Sequence, residues 1–337
     1  MTLKVCIFGV SGYTGSKLLN YLDKHSKVEI VGVFGSSNIG VRLREVFPNL
    51  SMIPDIEISD FKLFNFDKVD LVFSCLPHGE FQKNIISKLK KGLSIIDLSG
   101  DFRIENKPEY EKFYDTKHET YELKSEFTYG LTEIYKDEIS NSKKIANPGC
   151  YPTSILIPII PLLKEKIIKG NHIIIDSKSG VSGAGKKLVE QNMFSELQNN
   201  FFSYSTNSHK HFPEIKQEVN KFSKDISLTF IPHLLPIFSG IQSNIYIDKE
   251  NIDVNLVFDF LKSYFANEMF VKVQKDKIVK LSDVQDTNNI VINVFQDIEK
   301  KIIVITSSLD NLIKGAAGQA IQNMNLMFGF EESESLI

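Results

Sequence analysis

The residues best suited to covalent chemistry are a cysteine at a helix-start signal and two closely spaced histidines. Cys150 lies in the segment NPGCYPT, between a Pro-Gly turn and Pro152, which suits the first turn of a helix. Free N–H groups at a helix N-terminus stabilise negative charge on sulfur, so Cys150 could act as a nucleophile. A small buried residue at a chain reversal is the alternative, and the local sequence leaves both open.

A nucleophilic thiolate usually needs an acid–base partner, and the segment HKHFPEI offers one. His209 and His211 lie two residues apart, and Glu214 follows His211 by three, so its carboxylate could orient a histidine base. A polar helix start is the alternative reading. A zinc site lacks a convincing third ligand, so we predict no metal. Three other histidines are expected on the surface: His25, His118 and His172.

Two further segments could bind an anionic substrate. The segment SGVSGAGK is a loop of small residues that ends in Lys186, and its backbone N–H groups suit an anion. The segment DLSGDFR places Arg103 just beyond a strand, and a guanidinium forms paired hydrogen bonds to carboxylate or phosphate. A solvated loop is the alternative for both segments.

A glycine-rich turn, GVSGYTG, follows the first strand-like run and opens the first helical stretch. Gly9 and Gly12 permit a tight turn and close backbone approach, and Gly15 lets the helix pack on the strand. The helix N-terminus then presents N–H groups to a pyrophosphate, so we predict a dinucleotide site. A plain strand-to-helix turn is the alternative.

The end of the second strand bears on which dinucleotide binds. NAD sites usually carry Asp or Glu there for the ribose 2′-hydroxyl, but no carboxylate appears before Glu45. Ser36 and Ser37 can donate hydrogen bonds, and Arg42 and Arg44 add positive charge, so NADP is favoured over NAD. Both arginines could instead be solvated on a surface loop. The later segment FSCLPHG is a further candidate for the cofactor wall.

The elements that must position these residues differ between the two halves of the chain. In the first half, strand-like runs at 3–10, 28–35, 69–77 and 94–100 alternate with helical stretches. This rhythm predicts an α/β fold, a Rossmann-type doubly wound parallel sheet with helices on both faces.

After about residue 170, segments that read as strands follow one another with little helix between them. They are NHIIIDSKSGVSG, ISLTFIPHLLPIF, SGIQSNIYID, KIVKLSDV, NNIVINVFQD and KKIIVITSSLD. They predict a second α+β domain with a mixed or antiparallel sheet. Pro158 and Pro161 predict that the helix after Cys150 is kinked or broken. The last helix, at 311–330, is rich in small residues and is expected to return to the first domain.

The bulk composition excludes several classes of protein. The chain has 337 residues, enough for about two domains, and a net charge of -3, which recruits neither nucleic acid nor an anionic membrane. No stretch reaches the roughly 18 apolar residues that span a bilayer. Its three cysteines are far apart, which indicates neither disulfides nor a zinc cluster and favours the cytoplasm.

Taken together, the motifs resemble the N-acetyl-gamma-glutamyl-phosphate reductase family of arginine biosynthesis. They occur in order between residues 9 and 325, as GVSGYTG, LPHG, DLSGDFR, YGLTEIY, NPGCYPT, SGVSGAGK, HKHFPEI and KGAAGQAIQNMN. The resemblance implies a two-domain architecture like that of glyceraldehyde-phosphate dehydrogenase, with an NADP-binding domain at 1–147 and 313–337 and a catalytic and oligomerisation domain at 148–312. It also implies NADP(H) and an acyl phosphate substrate on an N-acetylated glutamate.

The resemblance implies a role for each candidate residue. Cys150 is the nucleophile that forms a thioester and expels phosphate, His211 is the first choice of acid–base group, His209 the second, and Glu214 orients it. The residues expected to bind substrate are Arg103, Lys186, Lys210, Ser182 and Asn147. The residues expected to bind the cofactor are Gly9, Ser11, Gly12, Tyr13, Thr14, Gly15, Ser36, Ser37, Arg42, Leu76, Pro77, Ser182, Gly183, Gly318 and Asn323.

The sequence departs from the family pattern at two positions. Gly100 stands where the family has Ala, and the loop GSSNIG lacks the Arg often found beside the family's serine. The second departure leaves the NADP preference less strictly specified. An aspartate-semialdehyde dehydrogenase, a lysine-pathway analogue and a non-catalytic NADP-binding regulatory protein remain alternatives. A homodimer or homotetramer is expected, with inorganic phosphate as a second small-molecule partner.

Overall fold

The structure, a computed structural model, describes residues 2–168, 172–186, 189–248 and 252–337. The chain forms two compact units. The first comprises Met1–Pro148 and Ala316–Ile337, and the second comprises Gly149–Gly315. Each unit is built on its own seven-stranded sheet.

The sheet of the first unit is parallel throughout its named strands. These are β1 (Leu3–Phe8), β2 (Val28–Phe34), β3 (Ile58–Ser59), β4 (Leu71–Ser74), β5 (Ser94–Asp97), β6 (Thr128–Tyr129) and β7 (Lys144–Ala146). Their spatial order is β3-β2-β1-β4-β5-β7-β6. The α-helices between them are α1 (Tyr13–Leu22), α2 (Leu43–Val46), α3 (Glu80–Asn84), α4 (Lys107–Tyr114) and α5 (Lys136–Ser140). Short 3-10 turns lie at Phe61–Leu63, Phe66–Lys68, Ile86–Lys88 and Tyr121–Glu126.

The central strands explain this arrangement. In β1 the run Val5, Cys6, Ile7 and Phe8 is buried on both faces, as are all residues of β4. Continuous burial of this kind requires layers on both sides of the sheet, which is typical of doubly wound parallel sheets. The predicted Rossmann-type fold is confirmed.

The sheet of the second unit is mixed. Its strands are β8 (His172–Gly180), β9 (Phe202–Ser203), β10 (Ser227–Leu235), β11 (Ile241–Asp248), β12 (Val271–Lys275), β13 (Ile290–Gln296) and β14 (Ile302–Leu309), in the order β12-β13-β14-β11-β8-β10-β9. The α-helices are α6 (Cys150–Lys164), α7 (Phe194–Leu197), α8 (Phe212–Asn220) and α9 (Val254–Tyr264). The 3-10 turns are Val181–Ala184, Glu190–Asn192 and Leu281–Asp283. Two strand pairs are parallel, β8 with β10 and β12 with β13, and the others are antiparallel.

Helix α6 packs against β11 and β14 and is almost entirely buried. The prolines at 158 and 161 predicted a kinked or broken helix, and the break does not occur: α6 runs uninterrupted through both of them. Each proline removes one backbone hydrogen bond, but tertiary packing supplies most of the stability of a buried helix and outweighs that loss.

Three other expectations were wrong. The segment KIVKLSDV was expected to be a strand, but it contains the 3-10 turn Leu281–Asp283 and no strand. The edge strand of the sheet, β12, is formed by the residues just before this segment. Helix α9 lies where little helix was expected. His25 and His118 are buried, each with a ring nitrogen hydrogen-bonded within the first unit, because a neutral imidazole can be buried once it is paired.

A π-helical turn, Ile313–Ala317, precedes the last helix, α10 (Gly318–Met327), which packs on α1 and α5 of the first unit. Within the described part of the chain, no helix has the length and apolar character needed to cross a bilayer.

Candidate functional site

The two glycine-containing loops of the first unit meet at the carboxyl ends of β1 and β4. Gly9 follows β1 with φ at 78°, and a Cβ there would lie 2.6 Å from the carbonyl oxygen of Cys75 and 3.1 Å from the N of Leu76. Since β1 pairs with β2 on one side and β4 on the other, this is the switch point of the sheet, where such folds bind ligands. The structure therefore brings Gly9 together with the loop of Leu76 and Pro77.

The glycine-rich turn lets helix α1 pack closely against the residues that follow β1. A Cβ at Gly15 would lie 2.3 Å from the carbonyl oxygen of Gly9, so only glycine lets α1 pack this near to the turn. Gly12 caps the ten-residue helix α1 and supplies no side-chain cap. The first-turn N–H groups of a helix, here those of Tyr13 and Thr14, make no hydrogen bond within the helix. Since these donors are what a pyrophosphate requires, the residues fit a dinucleotide.

The end of β2 lies beside this turn. The Ser11 hydroxyl is 3.3 Å from the position that a Cβ on Gly35 would take, and Ser36 and Ser37 follow, exposed. Arg42 has partners further along the chain, because its guanidinium donates to the carbonyl oxygen of Asp55 at 2.7 Å and lies 3.9 Å from a carboxylate oxygen of Glu57.

A buried polar network in the first unit contains three other predicted residues. Arg103 donates from Nε to the carbonyl oxygen of Asn147 at 2.7 Å. The Asn147 side chain accepts from Asn323 Nδ2 at 3.0 Å, and the same nitrogen donates to the carbonyl oxygen of Gly130. Thr132 donates to Asn323 Oδ1 at 2.8 Å. Asn323 is thus fully hydrogen-bonded inside the protein, and Gly318, on the same helix, is also buried.

Cys150 is the first residue of α6 and is partly exposed. The residue before it, Gly149, caps the helix and donates its N–H to Glu214 Oε1 at 2.8 Å. Glu214 is fully buried on α8. Its carboxylate therefore fixes the turn that presents the thiol at the helix N-terminus.

The structure distinguishes the two candidate histidines. A Cβ on Gly149 would lie 2.6 Å from His211 Nε2, so the His211 ring rests against the residue that precedes Cys150. His209 instead accepts the backbone N–H of His211 at Nδ1, 3.1 Å away, and its Nε2 lies 3.4 Å from the Tyr204 hydroxyl. Burial, and then the charge of Lys210, lower the pKa of His209 to about 3, so this ring is neutral.

The remaining predicted residues lie on or near the loop after β8. The Ser182 hydroxyl accepts from Asn311 Nδ2 at 2.9 Å and is buried, whereas Gly183 and Lys186 are exposed. Lys210, between the two histidines, is also exposed.

One residue next to the thiol was not a predicted site residue. A Cβ on Gly315 would lie 2.7 Å from the Cβ of Cys150. Its signal in the sequence was the small-residue run GAAG, which indicated close backbone approach without naming the partner.

Comparison with known proteins finds a matching family for each of the two units. Residues 4–142 match the family described as semialdehyde dehydrogenase, NAD binding domain, and residues 150–311 match semialdehyde dehydrogenase, dimerisation domain. The chain is 41% identical over 337 residues to an N-acetyl-gamma-glutamyl-phosphate reductase of Caldicellulosiruptor bescii, covering 99% of this chain and 98% of that protein.

The chain belongs to the N-acetyl-gamma-glutamyl-phosphate reductase family.

Two further comparisons concern the family and the fold. A probable chloroplastic member from Arabidopsis thaliana is 39% identical, covering 99% of this chain and 84% of the plant protein. A crystal structure of aspartate semialdehyde dehydrogenase with NADP from Candida albicans has a TM-score of 0.70 at 17% identity, covering 97% of this chain and 99% of that chain. At this identity the second likeness concerns the fold alone.

Proposed function

We propose that this chain reduces N-acetyl-gamma-glutamyl phosphate to N-acetylglutamate 5-semialdehyde and phosphate, with NADPH, in arginine biosynthesis. The observation that carries the proposal is the contact of the His211 ring with Gly149, directly before a partly exposed Cys150 at a helix N-terminus. This contact supports the proposal that Cys150 acts as the nucleophile and His211 as its acid–base partner. The names of relatives about 40% identical over nearly the whole chain supply the substrate.

The Cys150 thiolate attacks the acyl carbon of the substrate, the C–O bond to phosphate breaks, and phosphate leaves with the electron pair. Backbone N–H groups in the first turn of α6 stabilise the oxyanion that forms during attack. NADPH, when bound, supplies the hydride that reduces the resulting thioester carbon. His211 then delivers a proton to the oxygen, and the same proton returns to the imidazole as the C–S bond breaks. The aldehyde leaves and the thiolate is restored.

Some of the surrounding residues position the nucleophile, and others are proposed to bind the substrate. Glu214 positions the nucleophile through the Gly149 N–H, and we assign no proton transfer to His209, because its ring stays neutral. The exposed cations Lys186 and Lys210 are proposed to bind the carboxylate and phosphate of the substrate. Ser182, Arg103 and Asn147 stay predicted substrate contacts.

We propose that the first unit holds NADP(H) through the turn from Gly9 to Gly15, with Leu76 and Pro77 as a wall. Ser36 and Ser37 are exposed beside that turn, and the sequence has no carboxylate between the end of β2 and Glu45 that would repel a 2′-phosphate, so NADP is preferred over NAD. Arg42, Gly183, Gly318 and Asn323 stay predicted contacts. We also propose a cytoplasmic location.

We propose that the second unit forms a homodimer through the face of its sheet opposite α6. Ile174, in the middle of β8, is 42% exposed, whereas its neighbours Ile173 and Ile175 are fully buried on the helix side. Tyr246 lies opposite Ile174 on β11, which extends this apolar surface. Replacing Ile174 by Asp should yield monomers in light scattering, and an unchanged mass would refute this interface.

The proposed reaction is tested most simply in reverse. Phosphate-dependent reduction of NADP is measured with N-acetylglutamate semialdehyde and, in parallel, with aspartate semialdehyde. We expect activity with the acetylated substrate alone, dependent on phosphate and abolished in Cys150→Ser. The control Cys6→Ala, which removes a buried thiol in the middle of β1, should keep it. Activity with aspartate semialdehyde alone would assign the chain to the related dehydrogenases, and binding of NADP without any turnover would refute catalysis.

A further inference from the structure

The segment after β5 contains a buried carboxylate for which the proposed reaction has no use. Asp101 is 1% exposed and lies two residues before Arg103. Its Oδ1 accepts the backbone N–H of Gly79 at 2.6 Å and the hydroxyl of Tyr110 at 2.7 Å. Its Oδ2 accepts the backbone N–H of Gln82 at 3.2 Å. A buried carboxylate is stable only with such donors, so these contacts are the reason it can be there.

Two of the three donors belong to the segment that follows β4. Gly79 has φ at 87° and begins α3 without a side-chain cap on its own residue, so the Asp101 carboxylate supplies the cap from a distant part of the chain. At the near end of the same segment, Cys75 and Leu76 lie directly against Gly9. The segment 75–79 is therefore held at one end by Asp101 and touches the glycine-rich turn at the other.

Asp101 is itself held on its backbone. Its carbonyl oxygen lies 2.7 Å from His118 Nε2, and its N–H donates to the Ser99 hydroxyl at 3.2 Å. Burial lowers the pKa of His118, so this neighbour is neutral and donates from Nε2. Because hydrogen bonds hold both the backbone and the side chain of Asp101, its carboxylate cannot shift to compensate for a lost hydrogen bond. A substitution at Asp101 should therefore alter the backbone positions of Gly79 and Gln82.

We propose that Asp101 is a positioning residue for the dinucleotide: its carboxylate sets the conformation of segment 75–79 and thereby the affinity for NADP(H), without contacting the cofactor. This proposal depends on the proposed function, since it takes the turn at Gly9 to be the NADP site. It assigns a role to the DLSGDFR motif beyond Arg103.

The variant Asp101→Asn tests the anchor with almost no change of volume. Its amide has one oxygen and one NH₂ group, so in either orientation the backbone N–H of Gly79 or of Gln82 faces another donor. We expect the dissociation constant for NADPH, measured by fluorescence titration, to rise about tenfold. We also expect faster hydrogen exchange at the amides of Gly79 and Gln82 in cofactor-free protein.

The matched control is Tyr110→Phe, which removes one hydrogen bond to the same carboxylate but leaves both backbone donors in place. It should lower thermal stability while the NADPH dissociation constant stays within about twofold of wild type. A dissociation constant that is unchanged in Asp101→Asn, or raised equally in Tyr110→Phe, would overturn the proposal. The second result would mean that general loss of stability weakens binding.

Two further outcomes separate this proposal from the proposed function. If Asp101→Asn does not fold, Gly79→Ala disturbs the same segment through its positive φ, and unchanged NADPH affinity in that variant would overturn the proposal. Wild-type protein that binds no NADPH would instead refute the proposed function. Unaltered amide exchange at Gly79 and Gln82 in Asp101→Asn would refute the anchor whatever the cofactor does.

Discussion

Replacing Gly149 by Ala should displace the proposed acid–base group without altering the nucleophile itself. Gly149 has φ at -69° and ψ at 156°, which alanine adopts without strain. The new Cβ would lie 2.6, 2.8 and 2.9 Å from three atoms of the His211 ring. Ordinary contacts are about 3.5–4.0 Å, so the ring must retreat by about 1 Å.

The ring has little room to move, because His209 and Tyr151 pack near it with ring centroids 5.0 and 6.0 Å away. Overpacking of this size costs about 1–3 kcal/mol of stability. A misplacement of about 1 Å lowers kcat roughly 100-fold. We expect both effects in Gly149→Ala, with the rate of Cys150 alkylation by iodoacetamide near that of wild type.

A double-mutant cycle with His211→Ala provides the control. Denaturant unfolding should show that Gly149→Ala loses stability in the wild-type background and loses almost none when the imidazole is absent. Equal losses in the two backgrounds would mean that the clash lies elsewhere. A Gly149→Ala protein with normal kcat would refute the placement of His211 beside the nucleophile.

Three other perturbations have defined outcomes. Burial raises the pKa of the Asp97 carboxyl from an ordinary value of about 4 to about 7, so the free energy of unfolding of the wild type should fall as the pH rises from about 4 to about 7. Denaturant unfolding at about pH 5 and pH 8 should show that the free energy of unfolding of Asp97→Asn increases relative to that of wild type by on the order of 3 kcal/mol. A difference that is the same at both pH values would contradict this. A Cβ on Gly100, at φ 94°, would lie 2.9 Å from the Tyr114 hydroxyl oxygen, so Gly100→Ala should lower the free energy of unfolding by roughly 2 kcal/mol. Adding Tyr114→Phe should restore part of this loss in thermal unfolding. If it restores none, backbone strain alone causes the loss and the contact with Tyr114 does not contribute. Gly315→Ala drives a methyl group against the Cys150 Cβ, so both alkylation of the thiol and kcat should fall, and an unchanged alkylation rate would refute that contact.

Much of the fold could be predicted because its signals are local. The buried runs of β1, β2, β4 and β5 and the glycine-rich turn occupy consecutive residues, so their periodicity and spacing indicated a doubly wound sheet. The errors fell where tertiary packing overrides local preference. Helix α6 stays unbroken despite Pro158 and Pro161 because it is buried, and the apolar alternation of KIVKLSDV belongs to a loop beside the strand β12.

The sequence by itself determined the family, because its motifs occur in order along the chain, and it offered Cys150 and the histidines of HKHFPEI as candidates for the chemistry. Only the tertiary structure decided which histidine faces the thiol turn. The contact of Gly149 with Glu214 joins residues 65 apart, and the His211 ring reaches the same turn through the fold. Likewise, Asp101 and Gly315 lie in the recognisable segments DLSGDFR and GAAG, but only the fold shows which residues lie within a few ångströms of them. Spacing along a chain specifies local backbone geometry, whereas distances between remote side chains are set by how the sheets and helices pack.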